Sequence, residues 1–264
     1  MPSTFPTPDS RLPTPRTAVL ALPLWPRLAF LALVFGAWYW LTASGRASPI
    51  ILPKLPLVAE RLSRFLADPS TYGEIGTTLL EFLAAFAISC AAGFLFGLAV
   101  GSYRCTTEVF EPILVALFAV PVIIIYPLCI LFFGIGHASK IAFSAAYGFF
   151  PVAINVINGL KNVDRGLVRA ALTMGAKPLQ LLFKVLVPDA FPMILNGIRL
   201  ALVLEFLATV AGETLAGRDG LGVRMAESSE SLSTPELFAW IVITILVSFG
   251  ISQVASLLGR FIRT

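Results

Sequence analysis

Residues able to do chemistry are few in this chain, and they do not cluster. His137 is its single histidine, and it falls in a short loop, where such a residue is usually at the surface. Cys90, Cys105 and Cys129 lack the close pairing that holds zinc. Two of them sit inside apolar segments, where a free thiol packs as a small core residue. No Gly-x4-Gly-Lys-Ser/Thr stretch is present to cradle a nucleotide phosphate. A membrane-embedded enzyme would need a clustered catalytic set, so the pattern predicts no catalytic residue, no metal and no cofactor. Two kinds of residue remain: Glu81, Arg199 and Glu205, which are ionisable yet lie inside apolar segments, and a polar, basic stretch over residues 161–188.

A charge at the centre of a bilayer costs about 2.5–3.5 kcal/mol on insertion scales, so such residues face a bundle interior or a wet cavity. Arg199 lies near enough to the start of its helix to snorkel toward one surface. Glu205 is deeper, and is either a functional carboxylate or a buried, hydrogen-bonded one. Their spacing puts Arg199 and Glu205 on different faces of one helix, which argues against a direct pair. Glu81 falls near the end of its segment and reads as interfacial.

The elements that carry these residues follow from composition. The chain is 57% hydrophobic and 13% charged, whereas soluble domains carry about a quarter charged residues. Bilayer is the solvent such a surface requires. The net charge of +4 is no sign of nucleic acid, because the basic residues lie in loops beside apolar spans. Six segments approach the roughly 20 apolar residues that a crossing needs: residues 28–43, which is marginal, 78–101, 113–133, 141–160, 192–215 and 237–258. With the N-terminus cytoplasmic, eleven of the nineteen basic residues fall inside and seven outside, Arg199 being within a span. That bias predicts cytoplasmic termini and a cytoplasmic 161–188 loop. Residues 1–26, with seven prolines, read as a disordered tail, and 27–264 as one membrane domain. The Trp38-Tyr39-Trp40 cluster reads as an interfacial anchor and argues against a cleaved signal peptide.

Packing is also written in the pattern. Ala85, Ser89, Gly93, Gly97 and Gly101 recur every four residues, a smooth stripe on which another helix can approach closely. The partner helix is open: one in this chain or one in a second copy. After the first span, Val58, Leu62, Phe65 and Leu66 share one face of a helix whose other side carries Glu60, Arg61 and Arg64. Such a helix either lies on the outer membrane surface or caps the bundle. Pro121, Pro127 and Pro151 each remove a backbone hydrogen bond inside an expected span. Broken helices at membrane depth suit a pathway wall, although plain kinks explain the same residues.

The loop over residues 161–188 is the most patterned polar stretch. Asp164 can cap a helix beginning at Arg165, and Gly175 suits the left-handed residue that ends one. Between them Leu167, Val168, Ala171 and Leu172 form an apolar face. A second short helix can start at Pro178 and run to Pro188. A short amphipathic helix held below a membrane domain fits a groove on a soluble partner, or else is a connector lying on the surface.

This stretch resembles the signature loop of ABC-type import permeases: Glu-Ala-Ala, three residues, Gly, nine residues, then Ile-x-Leu-Pro. Arg169, Ala170, Ala171, Gly175, Val185, Val187 and Pro188 occupy those positions at matching spacing. The runs at 133–136 (Phe-Gly-Ile-Gly), 149–155, 159–164 and 196–199 are similar to the nitrate/sulfonate/taurine branch, as are Glu213 and Gly-Leu-Gly at 220–222. The likeness covers about residues 50–260. Arg169 departs from it, standing where the family usually has Glu.

The resemblance implies an all-α integral membrane protein, the six-helix transmembrane domain of a type I ABC importer with a cytoplasmic coupling helix. It implies a permease that does no chemistry itself. Its partners would be a cytoplasmic ABC ATPase dimer, an extracytoplasmic solute-binding protein and a second, identical permease copy. The solute would be a sulfonate, taurine, nitrate or a vitamin precursor. The expected ATPase-docking residues are Arg165, Leu167, Val168, Arg169, Ala170, Ala171, Leu172 and Gly175. Pro121, Tyr126, Asn155 and Glu205 are the candidates for the translocation path, from kinks and polarity. The rival reading, an ion-coupled secondary transporter, would rest on Glu205 alone and would leave the loop without a role.

Overall fold

A computed structural model of the chain describes residues 24–258. The expected tail over residues 1–26 therefore lies outside the described residues except for its last three positions, as do Arg260 and Arg263. The chain divides into two units, Met1–Leu55 and Pro56–Thr264.

In the first unit, α1 spans Leu24–Ala43. Its apolar part, Leu28–Ala43, is shorter than a full crossing. The aromatic cluster also ties down the loop that follows. Trp38 Nε1 donates to Pro53 O at 2.9 Å, and the Arg46 guanidinium lies 4.7 Å from the Trp40 ring centroid.

The second unit is a helical bundle built on α3 (Pro69–Gly101), α6 (His137–Lys161) and α8 (Pro178–Ala216). Each is long and apolar enough to cross a membrane, and so is the last helix, α10, whose apolar core is Thr234–Ser256. Asp68 starts α3: its Oδ1 accepts from Ser70 N at 2.9 Å, and that bond holds the carboxyl below the ordinary carboxylate range. Helix α6 sits between α3 and α8 and is buried along most of its length.

The small-residue stripe finds its partner within the chain. A methyl group added at Gly97 would lie 2.6 Å from Val156 Cβ, and one at Gly93 would lie 2.8 Å from Val152 Cβ. Backbone contact this close is how helices associate where lipid supplies no hydrophobic force.

Two expectations need correction. Among the described residues, four of the six expected spans are single helices of sufficient length, with a fifth if a bent pair is counted. That pair replaces the expected span at 113–133: α4 (Arg104–Ala119) meets the segment Ile123–Phe133 at 81°, through a 3-10 turn, Val122–Ile125, that leads into α5 (Tyr126–Phe133). Pro121 has no N–H to continue the ladder and pushes Val120 out of the helical region, to ψ 132. The helix is therefore broken rather than kinked.

Pro188, conversely, ends nothing. The helix widens through one π turn, Leu182–Leu186, in which the Val187 N–H reaches back to Leu182 O. The missing donor of Pro188 falls where the ladder changes register, and α8 runs on. Of the two settings open for α2 (Leu55–Ala67), the structure has the helix packed as a cap on the bundle. Leu62 and Phe65 pack with Leu221, Trp240 and Ile243, and the Phe65 and Trp240 rings stack at 4.4 Å.

Candidate functional site

The loop between α6 and α8 folds as its residues suggest. Helix α7 spans Arg165–Thr173. Asp164 Oδ1 accepts from Gly166 N at 2.7 Å at its start, and Gly175 takes φ +78° at its end. The Gly175 N–H returns to Leu172 O and the Ala176 N–H to Ala171 O, both at 3.0 Å, the paired bonds that close a helix on a left-handed residue.

The fold divides the apolar face of α7 in two. Ala171 is 5% exposed, and Val168 packs against a core cluster that includes Leu160, Val163 and Ala190, beside Leu182 and Leu186. Leu167, Leu172 and Met174 remain 47%, 55% and 82% exposed. Ala171 is therefore turned inward, although its position in the sequence puts it on the same face as Leu167 and Leu172. Leu167, Ala170 and Met174 form one wall of a cavity of about 440 Å³, with Lys184, Val185 and Pro188 opposite. Arg165 and Arg169 are exposed, and the Arg169 Nε donates to Arg165 O at 3.2 Å.

The four pathway candidates have different settings. Pro121 is exposed at the break between α4 and α5, and lines a mainly apolar cavity of about 320 Å³ with Ile123, Phe143, Tyr147 and Leu207. Tyr126 is buried, and its hydroxyl donates to Gly212 O at 2.8 Å, tying α5 to α8. Asn155 donates to Pro151 O at 2.8 Å within α6, where its Cβ faces Gly197 of α8. Glu205 is fully buried against Gly148, whose missing side chain leaves room for the carboxylate. Neither of its oxygens has a hydrogen-bond partner among the described residues. One turn on, Thr209 bonds Ser144 Oγ at 3.0 Å.

At the far end of α8 from α7 lies a set of buried ionic contacts that the sequence pattern did not reveal. Glu81 is 3% exposed, and it sits 2.5 Å from both Lys140 Nζ and His137 Nδ1. Lys140, just outside the expected 141–160 span, is buried in α6 and also donates to Asp219 O at 3.2 Å. Glu74 accepts from Gly220 N at 2.6 Å and from two nitrogens of Arg224, whose guanidinium it holds above its ordinary pKa. Thr78 Oγ1 accepts from Leu221 N, and Glu213 Oε2 from Gly222 N at 2.8 Å.

These bonds fasten α9 (Leu221–Glu230) to α3 and α8 and give Glu213 and the Gly220–Gly222 run a structural role. Two sequence signals could have found them. Glu74, Thr78 and Glu81 lead into the small stripe of α3, and Lys140, Ser144 and Gly148 recur every four residues in α6.

A family model described as the binding-protein-dependent transport system inner membrane component matches residues 91–264. A riboflavin transport system permease of Chloroflexus aurantiacus is 31% identical over 253 residues, 94% of each chain. The taurine transport system permease TauC of Escherichia coli is 30% identical over 224 residues, 83% of this chain and 82% of the relative. A putative aliphatic sulfonates permease of Bacillus subtilis is 29% identical over 87% of this chain and 83% of its own length. Among solved structures, an inward-facing form of the MetNI methionine ABC transporter matches with a TM-score of 0.53 at 21% identity. The match covers 72% of this chain and 99% of that one.

The fold is thus that of a type I ABC importer transmembrane domain. The chain belongs to the binding-protein-dependent inner-membrane permease family, in keeping with its taurine and sulfonate branch, and is an ABC importer permease subunit for small solutes.

Proposed function

We propose that α7 is the element through which a cytoplasmic ATPase dimer drives this permease. The observation that carries the reading is the division of the α7 surface. Val168 and Ala171 anchor the helix to the bundle, while Leu167, Leu172 and Met174 are left exposed between well-made caps. A nine-residue helix fixed this way moves as a rigid body with α8, so force applied to it reaches the bundle.

In this reading α7 and both termini are cytoplasmic, α9 faces an extracytoplasmic solute-binding protein, and residues 27–264 form the permease domain. Two identical copies enclose the path. Pro121 lines it at the break between α4 and α5, and Tyr126, Asn155 and Glu205 support its wall. The solute is a small polar molecule of the sulfonate, taurine, nitrate or vitamin-precursor kind. ATP is bound and hydrolysed by the separate ATPase.

The Leu172→Asp variant places a charge in the middle of the proposed contact. Co-purification of the ATPase with the permease is expected to fall to background while the permease itself remains folded. Unchanged co-purification would remove the docking role from α7. In proteoliposomes, uptake is expected to need ATP inside and a competent ATPase; uptake driven by an ion gradient alone would instead favour a secondary transporter using Glu205.

A further inference from the structure

Taking α7 as the ATPase-docking helix, we propose that the groove receiving it is acidic, with carboxylates facing Arg165 and Arg169. Four basic residues lie between Asp164 and Asp189: Arg165, Arg169, Lys177 and Lys184. All four are exposed, and none is within ion-pair distance of a carboxylate among the described residues. Elsewhere in the bundle Arg61, Arg64, Arg104, Lys161 and Arg224 hold acidic partners, whereas Arg199 and Arg218 stand singly without an ion pair among the described residues; only the α7 loop groups four such cations.

The two nearby acids are already engaged. Asp164 Oδ1 caps α7, and Asp189 Oδ2 accepts from Asp164 N at 3.4 Å. The surface offered by the loop is therefore positive.

Within α7 these charges make one bond, from Arg169 Nε to Arg165 O at 3.2 Å. Arg165 occupies the first turn, which carries no acidic residue, so its charge opposes the helix dipole. Arg165 and Arg169 stand four residues apart, where like charges repel. A short helix that tolerates both has its compensation outside the chain.

A protein surface suits this better than lipid headgroups. Gly159, near the end of α6, packs on Ala190, yet α8 begins at Pro178, roughly 18 Å further out at 1.5 Å per residue. Helix α7 is packed against these projecting turns, and the basic side chains alternate with exposed Leu167, Leu172 and Met174. Apolar knobs ringed by charge match a groove whose rim is negative.

The test uses the full-length permease and its partner ATPase, purified together in detergent. Wild-type affinity is expected to fall as salt rises. The double variant Arg165→Glu/Arg169→Glu is expected to weaken ATPase binding at low salt by about tenfold or more, with the Gln/Gln variant between. Reversing acidic groups on the ATPase should restore binding to the Glu/Glu variant. An unchanged melting temperature for Glu/Glu keeps the result separate from misfolding. Equal binding by wild type and Glu/Glu, with no salt dependence, overturns the acidic groove. If Leu172→Asp still abolishes binding in that case, the docking role of α7 survives. If Glu/Glu keeps the ATPase but no longer binds vesicles containing anionic lipid, the charges belong to a membrane surface and the proposal fails.

Discussion

The two ends of the bundle handle charge in opposite ways. At the α9 end, Glu74, Glu81 and Lys140 are buried and meet partners from distant parts of the chain. At the α7 end, Arg165, Arg169, Lys177 and Lys184 are exposed and have no carboxylate partner among the described residues. The polar bonds of α7 are mostly local caps, apart from the long contact of Asp164 N with Asp189. Burying a charge is tolerable only when it is paired and hydrogen-bonded, so the first arrangement fastens a loop helix to the bundle. The second leaves charge free for another surface. A transporter that works by moving one end against an external partner needs both: a latch that stays shut and a handle that stays available.

The sharpest way to break this comparison is to unpair the latch. Lys140→Met leaves Glu81 buried without its main cation, and a loss of about 3–5 kcal/mol is expected, read as a lower melting temperature in detergent. Glu81→Gln combined with Lys140→Met should recover most of that loss. A single variant that melts like the wild type would show that the ion pair does not hold α3 to α6 at this end of the bundle.

A smaller effect tests the seam joining the two ends. Gly97→Val forces side-chain atoms against Val156 and should cost about 1–3 kcal/mol. Gly76→Val on the same helix meets nothing within 4 Å and serves as its control. Equal melting temperatures for the two variants would mean that the α3–α6 contact is looser than described. The smallest effect is expected at the handle. Asp164→Ala removes a cap worth about 1 kcal/mol. Hydrogen exchange should quicken in α7 while global melting stays put, and a global loss would mean that α7 is part of the core rather than a handle fixed onto it.

How much of this could be read in the sequence depended on the range of the interaction. Asp164, Gly175 and the small stripe announce local geometry: a cap, a left-handed residue, a surface that admits a close neighbour. The structure has all three. The partner of the stripe was open between this chain and a second copy, because a smooth helix face does not say what lies on it. The burial of Lys140 was missed because a lysine near a span end usually marks a loop, and only the position of Glu81 on α3 makes its burial tolerable. Pro121 reads in the sequence as a kink and Pro188 as a helix end, yet Pro121 breaks its helix and Pro188 ends nothing. The difference lies in whether the flanking backbone can change register.

Composition and short-range pattern were enough to establish a bilayer protein, its family loop and the caps of that loop. Each of these depends on residues a few positions apart, or on an average over the chain. Which side of α7 faces its own bundle and which charges are neutralised were decided by packing. They depend on groups far apart in the chain that meet only once α3, α6 and α8 have come together.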